Sequence, residues 1–338
     1  MSVAAFDNVG LVIIGRNEAD RLRQSLPAMA TCRAIVYVDS GSTDGSADVA
    51  RLHGARVVQL DRSTGFTAAR ARNAGFEDLR RVAPTVTYVQ FLDGDCLLAD
   101  GWLEQASSYL DANPSYAAVC GRRQEEHPTR NLFHRITDRE WDTVSGEAAY
   151  FGGDVLIRTD ALSQVGGYRG DLIAGEEPEL SIRLRRARWR IQRLDCPMSV
   201  HDIRMDSLGQ WWQRSVRAGY AFAEGAALHG AGPERHWVKE RRSIIAWGLM
   251  LPAIAIALAW PTYGLSLLIA VTALLLLFLK AAIGLHRFGR RSLSDSLLYA
   301  AHCVASKAPQ AVGVFRYWVG RRSKPKLIEY RKLPACGG

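Results

Sequence analysis

Residues 91–102 read FLDGDCLLADGW. The run that leads into them, TYVQFL (87–92), is apolar, β-branched and aromatic, the composition of a buried strand. Asp93 and Asp95 stand at its end, separated by Gly94. Two carboxylates so close repel each other unless a cation or a set of donors lies between them. Asp and Gly are also turn residues, so a plain turn competes with a ligand site. The neighbouring sequence decides between them.

Upstream, strand-like runs alternate with helical stretches. LVIIG (11–15), AIVYVDS (34–40), ARVVQL (55–60) and, after the opening stretch, YAAVCG (116–121) read as strands. NEADRLRQSLPAMA (17–30), TDGSADVARLHG (43–54), TAARARNAGFEDLRR (67–81) and GWLEQASSYLDAN (101–113) read as helices. Asn17 is expected to cap the first helix, with Glu18 in its N-terminal turn, and Thr43 or Asp44 to cap the second. Such alternation implies parallel strands with helices on both faces, and ligands of such sheets bind beyond the carboxyl ends of the strands. Arg16, Asn17 and Glu18 follow the first strand, Asp39 ends the second, and Asp93 and Asp95 end the fourth. Three polar sets at one sheet edge suggest a shared site. Residues 126–150 are poorly periodic; FGGDVLIRTDALSQVGGY (151–168) and GEEPELSIRLRRARWRIQRL (175–194) then restore a regular pattern, the latter a helix followed by a short strand.

The 338 residues, 48% hydrophobic and 23% charged, describe a folded chain rather than a disordered one. A formal charge of +9 points to an anionic partner. No nucleic-acid motif is present, and much of the basic excess lies beside an apolar segment and in RRSKPKLIEYRK (321–332), which suits lipid headgroups rather than nucleic acid. The scattered cysteines form neither CxxC nor zinc spacing, which suits a reducing compartment. The opening MSVAAFDNVGLVIIGRNE lacks a basic n-region and cleavage site, so no signal peptide is expected. From Ser243 to Leu279 no residue is charged. One helix of that length would run about 55 Å, against a hydrocarbon core of about 30 Å. Two spanning helices reversing at WPTYG (260–264) fit better. Arg241, Arg242, Lys280, His286, Arg287, Arg290 and Arg291 flank the pair, which puts both outer ends in the cytoplasm. Residues 290–322 suit a helix in the membrane interface, interrupted at Pro309.

The ordered set RNEA, VDSGSTDGS, ARARNAG, LDGD, GGDVLIRTDALSQVGGY and GEEPELSIRLRRARWRI, over about residues 9–225, resembles the family 2 glycosyltransferases. The resemblance implies an α/β GT-A nucleotide-diphosphosugar transferase fold, a mixed, mostly parallel sheet with helices on both faces. Added to it are the C-terminal transmembrane hairpin and the interfacial helix. The expected division is residues 1–235 for the GT-A domain, 236–285 for the hairpin and 286–338 for a basic amphipathic segment at the cytoplasmic face.

It further implies metal-dependent, inverting transfer of a sugar, with a UDP-sugar as the donor that best fits. The acceptor would be a hydroxyl of a lipid-linked or other glycan at the cytoplasmic membrane. Asp95 would coordinate Mn²⁺ or Mg²⁺, with Asp93 on the ribose or a metal-bound water, His201 near the metal, and Gly94 admitting the ligand to the backbone. Asp39 would meet the base, Arg16, Asn17, Glu18 and Gly153 would line the nucleotide, and Arg72 with Asn73, rather than Arg70, would meet the diphosphate. One carboxylate must take the acceptor's proton. The family's usual Glu-Asp pair is here Glu176-Glu177, with Glu177 at the base position. QWWQRSVRAGYAFAEG (210–225) resembles the QxxRW element of processive members without matching it, since no Trp follows Arg214; Trp211, Trp212 and Arg214 are weaker acceptor candidates. Export of a polymer would need partner proteins or a homo-oligomer. A pseudoenzyme or subunit of a polysaccharide-synthesis complex would share the fold, but an LDGD beside an acidic pair favours catalysis.

Overall fold

The computed structural model describes residues 6–61, 65–289 and 292–320; Arg290, Arg291 and the basic segment 321–338 lie outside the described residues. By its internal contacts the chain divides into two units, one of residues 1–128 and 140–203, the other of 129–139 and 204–338.

The first unit is an α/β sandwich. Its sheet begins with β1 (Phe6–Gly15), β2 (Cys32–Asp39), β3 (Arg56–Gln59) and β4 (Tyr88–Asp93), paired in parallel in the order β3-β2-β1-β4. Between them run α1 (Ala19–Ser25), α2 (Ser46–Leu52) and α3 (Ala68–Val82). β1 and β4 are apolar almost without alternation because both faces are covered, as parallel strands require. Beyond β4 lie a short β5 (Cys96–Leu98), α4 (Trp102–Ala112), β6 (Tyr116–Glu125), then α5 (Leu132–Trp141), all but the end of which belongs to the second unit, and, back in the first, β7 (Gly146–Glu147), β8 (Val155–Arg158), α6 (Thr159–Gln164), α7 (Glu176–Arg186) and β9 (Arg190–His201). β8 enters antiparallel between β4 and β6, and β9 lies between β6, in parallel, and β5, antiparallel. The fifth strand-like run therefore does not sit beside the fourth. The poorly periodic stretch 126–150 holds α5, whose apolar positions Leu132, Phe133 and Ile136 are too few for a clear helical stripe.

The second unit is helical. Besides most of α5 it contains α8 (Leu208–His229), α9 (Val238–Ile245), α10 (Leu251–Ala257), α11 (Leu265–Phe288), α12 (Leu293–Ala305) and α13 (Lys307–Gly320). The helix α8 packs on α13 through facing glycines: a Cβ on Gly219 would collide with the Gln310 carbonyl, and one on Gly313 with that of Val216. A core of Ala223, Ile244, Ala311 and Val314 completes the contact. Of the expected pair of spanning helices, the second, Leu265–Arg287, is among the described residues the one long and apolar enough by itself to cross a membrane. The preceding limb is broken by a π-turn at Ala246–Met250. Pro252 explains it, since its nitrogen has no proton to donate to the carbonyl four residues back, and the ladder widens by one residue ahead of it. The reversal falls at the expected place, with Gly264 in left-handed conformation (φ 84°) and Trp260 and Tyr263 fully outward at 92% and 100% exposure. The C-terminal helical stretch breaks at Ser306 rather than Pro309; Pro309 falls in the first turn of α13, where a missing N–H costs nothing.

Candidate active site

The strand ends that carry the polar residues are tied together through loops. Gly94 donates its N–H to the Ile14 carbonyl (2.8 Å), and Ser40 donates to Gly15 (2.9 Å). Gly94 thus lets the end of β4 approach the first strand: an added Cβ would lie 3.1 Å from the Ile14 oxygen. Asn17 is not the cap of α1. It adopts φ 57°, and its side-chain oxygen accepts from Thr43 N (2.8 Å), while Asn17 N donates to Ser42 Oγ (2.9 Å). The helix start is satisfied from the next loop instead, as Ser46 Oγ accepts from Glu18 N and Asp44 Oδ2 from Ala19 N, both at 2.9 Å. Thr43 caps neither helix, and Gly45 holds the N-cap position of α2. Asp39, 2% exposed, folds its carboxylate onto Ser42 N and Ser42 Oγ, so here it closes the turn after β2. Arg16 lies over the Phe66 ring, 5.9 Å from its centroid.

Arg72 is the hub of the site. It is fully buried on α3, donates Nη2 to Asp93 Oδ1 (2.9 Å) and Nη1 to Glu176 Oε1 (2.9 Å), and stands 3.0 Å from Glu177 Oε1. The Tyr168 ring covers its guanidinium at 5.4 Å. Asn73 clamps the Tyr168 backbone: its amide donates to Tyr168 O (2.6 Å) and accepts from Tyr168 N (2.8 Å). Arg70 lies on the rim, its guanidinium donating to the Gly65 carbonyl.

Asp93 belongs to arginines on both sides. Its second oxygen accepts from Arg123 Nη2 (2.7 Å), and Arg123 Nε donates to Asp154 Oδ2 (2.9 Å). Asp154 also accepts Asp93 N (3.0 Å) and Ser199 Oγ (2.5 Å). Burial works to raise the Asp93 carboxyl, but Arg72 and Arg123 outweigh it and hold the group below its usual range. Both Asp93 oxygens are thus engaged by arginines. Gly153 is required beside it, because a Cβ there would lie 2.6 Å from Asp93 Oδ2 and 2.9 Å from Arg72 Nη2. Arg123, Asp154, Ser199 and Tyr168 are members of this site that the residue pattern did not single out. Asp154 adjoins Gly153 and Tyr168 ends GGY, so local signals existed; Arg123 was legible only as a cation at a strand end.

Asp95 turns the other way. Its Oδ2 lies 3.2 Å from His201 Nε2, and Arg21 Nε donates to its backbone carbonyl (3.1 Å). Asp95, Cys96 and His201 have ligand atoms within 4.8 Å of one another. Burial holds the Cys96 thiol well above its ordinary pKa, so it stays protonated; a divalent cation would draw first on the carboxylate oxygen, with the imidazole nitrogen beside it, rather than on the thiol. A donor set of Asp95 and His201, leaving the other positions to substrate oxygens, fits Mn²⁺ or Mg²⁺. The surplus of carboxylates around Arg72 and Arg123 fits a cation as well.

Glu176 and Glu177 open α7, behind Gly175 in left-handed conformation, with Pro178 following in the first turn. Glu177 is raised to about 7, by burial first and the neighbouring Glu176 next, against the pull of Arg72. A carboxylate titrating near neutrality is suited to general-base work.

The expected acceptor residues lie in the other unit. Trp211 is buried and donates its indole N–H to His302 Nδ1 (2.9 Å), which makes it a packing residue of α8. Trp212 is 40% exposed, and Arg214 half-buried.

Comparison with known proteins agrees with this geometry. Residues 11–169 match the model of glycosyl transferase family 2. The chain is 29% identical over 259 residues to a pre-mycofactocin glycosyltransferase of Mycobacterium tuberculosis, covering 72% of this chain and 52% of that protein. It is 26% identical over 205 residues to the succinoglycan biosynthesis protein ExoA of Rhizobium meliloti, covering 57% and 61%. The chain thus spans about half the length of the first of these relatives. A mannosyltransferase of Pyrobaculum calidifontis, solved with GDP-Man and Mn²⁺, superposes with a TM-score of 0.59 at 18% identity over 92% of this chain and 90% of that one, a likeness of fold. With the motif order, the mixed sheet and the acidic cluster at its edge in agreement, residues 11–169 carry a glycosyl transferase family 2 domain, and the sheet has the GT-A fold.

Proposed function

We propose that this chain transfers a sugar from a nucleotide-diphosphosugar, with inversion, to a hydroxyl of a lipid-linked or other glycan acceptor at the cytoplasmic face of a membrane. The observation that carries the reading is the juxtaposition, through Arg72, of Glu177 with the Asp93-Gly94-Asp95 strand end. Glu177, held near neutrality, accepts the proton of the acceptor hydroxyl as it attacks the anomeric carbon opposite the diphosphate. Glu176 stays paired with Arg72 and holds the guanidinium beside the base. Asp93, kept anionic by two arginines, accepts a hydroxyl of the nucleotide's ribose. Asp95 and His201 hold a divalent cation, Mn²⁺ or Mg²⁺, which when bound offsets the charge developing on the departing diphosphate.

The donor base is uracil in this reading. Guanine is the competing base, because the Pyrobaculum calidifontis mannosyltransferase was solved with GDP-Man. Membrane attachment is supported by α11, whose Leu268, Val271, Leu275 and Leu276 are all exposed. In this reading α9, α10 and α11 form a hairpin that crosses the bilayer, with Trp260 and Tyr263 in the far interface. A role in envelope polysaccharide synthesis is in keeping with the likeness to ExoA.

Calorimetric titration of the full chain in detergent with UDP and with GDP, each with and without Mn²⁺, tests the donor class. Metal-dependent binding of one nucleotide, weakened at least about tenfold in Asp95→Asn, is the expected result. Binding of neither nucleotide would overturn the reading. Glu177→Gln should bind as the wild type does and fail to transfer sugar.

A further inference from the structure

His201 is constrained on three sides. Its Nε2 faces Asp95 at 3.2 Å, the Trp141 indole meets its ring edge-on at 4.8 Å, and its Nδ1 lies 3.9 Å from Glu125 Oε2. The sheet dictates this arrangement. β9 lies between β5 and β6, and His201 is in register with Cys96 on one neighbour and Glu125 on the other. Glu125 is 4% exposed and fixed by the backbone, Oε1 accepting from His127 N (3.3 Å) and Oε2 from Ile203 N (3.2 Å). A carboxylate locked in that position, behind the imidazole and away from Asp95, has no evident task in the transfer chemistry. Histidines that bind a metal through one nitrogen usually donate the other N–H to such a group, which fixes the tautomer and makes the ligand nitrogen more basic.

We infer that Glu125 is a positioning residue for the cation site: it accepts the Nδ1 proton of His201 and so presents the Nε2 lone pair toward Asp95. This rests on the proposed divalent-cation site at Asp95 and His201. Glu125 itself touches neither cation nor substrate. Its carboxylate selects which imidazole nitrogen is free.

The test measures Mn²⁺ affinity of the full chain in detergent by the electron paramagnetic resonance signal of free Mn²⁺, with UDP or GDP present. Glu125→Leu should lose about 10–100-fold in Mn²⁺ affinity, whereas Glu125→Gln, which keeps an acceptor oxygen, should stay closer to wild type. Nitrogen modulation in the pulsed spectrum of bound Mn²⁺ should be present in the wild type and absent in His201→Gln. Loss of Mn²⁺ in Asp95→Asn and His201→Gln with wild-type affinity in Glu125→Leu would overturn the inference and leave the cation site standing. Unchanged affinity in all of these variants would overturn the cation site itself. If thermal unfolding shows that Glu125→Leu does not fold, the histidine ¹⁵N spectrum of the wild type with Mg²⁺ and UDP or GDP decides. A protonated Nδ1 at His201, identified by what His201→Gln removes, supports the inference, and a protonated Nε2 overturns it.

Discussion

Glu177 carries two opposed consequences of one environment. Burial and Glu176 raise it from about 4.5 to about 7, so kcat/KM should fall tenfold per pH unit below about pH 7 as the base protonates, and level off above. A pH–rate profile checks this. For stability the sign is reversed. The folded state holds a proton that the unfolded state releases near pH 4.5, so stability present below that pH is lost as the pH rises to about 7. Glu177→Gln, a neutral isostere, escapes that loss. It should unfold at a higher temperature than wild type at pH 8 and near the same temperature at pH 4, while transfer falls by about 10²–10⁴-fold. Arg72 is the converse case. Removing its charge in Arg72→Met leaves Asp93, Glu176 and Glu177 facing one another, and should cost about 3–5 kcal/mol in chemical denaturation. Asp154→Asn should act on the same group indirectly by weakening the hold on Arg123 and the Asp93 backbone.

At the scale of elements, the site depends on how strand ends and helix starts are stitched. The β1 and β2 loops exchange hydrogen bonds so that α1 begins under the control of Asp44 and Ser46 rather than its own residues. Asp44→Ala should therefore destabilise α1, with a loss of about 1 kcal/mol in denaturant unfolding. In the helical unit, α8 and α13 meet backbone to backbone at Gly219 and Gly313. A side chain at either position has no room that a rotamer change could provide, because the obstacle is a carbonyl. Gly219→Leu should lower the thermal midpoint sharply and Gly219→Ala less so, as read by scanning fluorimetry in detergent. The strands, the first-turn acids of α7 and the reversal at 260–264 were legible because each rests on local periodicity or on Pro and Gly chemistry. The insertion of β8 between β4 and β6 was not, since pairing partners far apart in sequence leave no local mark.

For the whole molecule, the exposed apolar surface of α11 is the feature on which the proposed membrane attachment rests. Leu268, Val271 and Leu275 are 62%, 64% and 53% exposed. Val271→Glu, within the apolar stretch of α11, should cost up to about 2.5–3.5 kcal/mol of insertion and shift the chain from the carbonate-resistant membrane fraction toward the soluble or aggregated one. A conservative Val271→Leu should not. In the proposed membrane-bound reading the charge of +9 has its place too, as a field that would favour anionic headgroups near the basic ends of the apolar segment.

Sequence alone determined the glycosyl transferase family 2 motifs of residues 11–169, the sheet edge at which they gather, the acidic pair and the presence of a long apolar segment, because each is written in residues near one another in the chain. It did not determine which carboxylate meets which cation. That Asp93 is given to Arg72 and Arg123, Asp95 to His201, Asn73 to the Tyr168 backbone and Trp211 to His302 was decided by tertiary structure. The physical reason is that ion pairs and buried hydrogen bonds are short-range and directional. Their partners, here separated by up to 106 positions between Asp95 and His201, are chosen by where the backbone brings two side chains within about 3 Å.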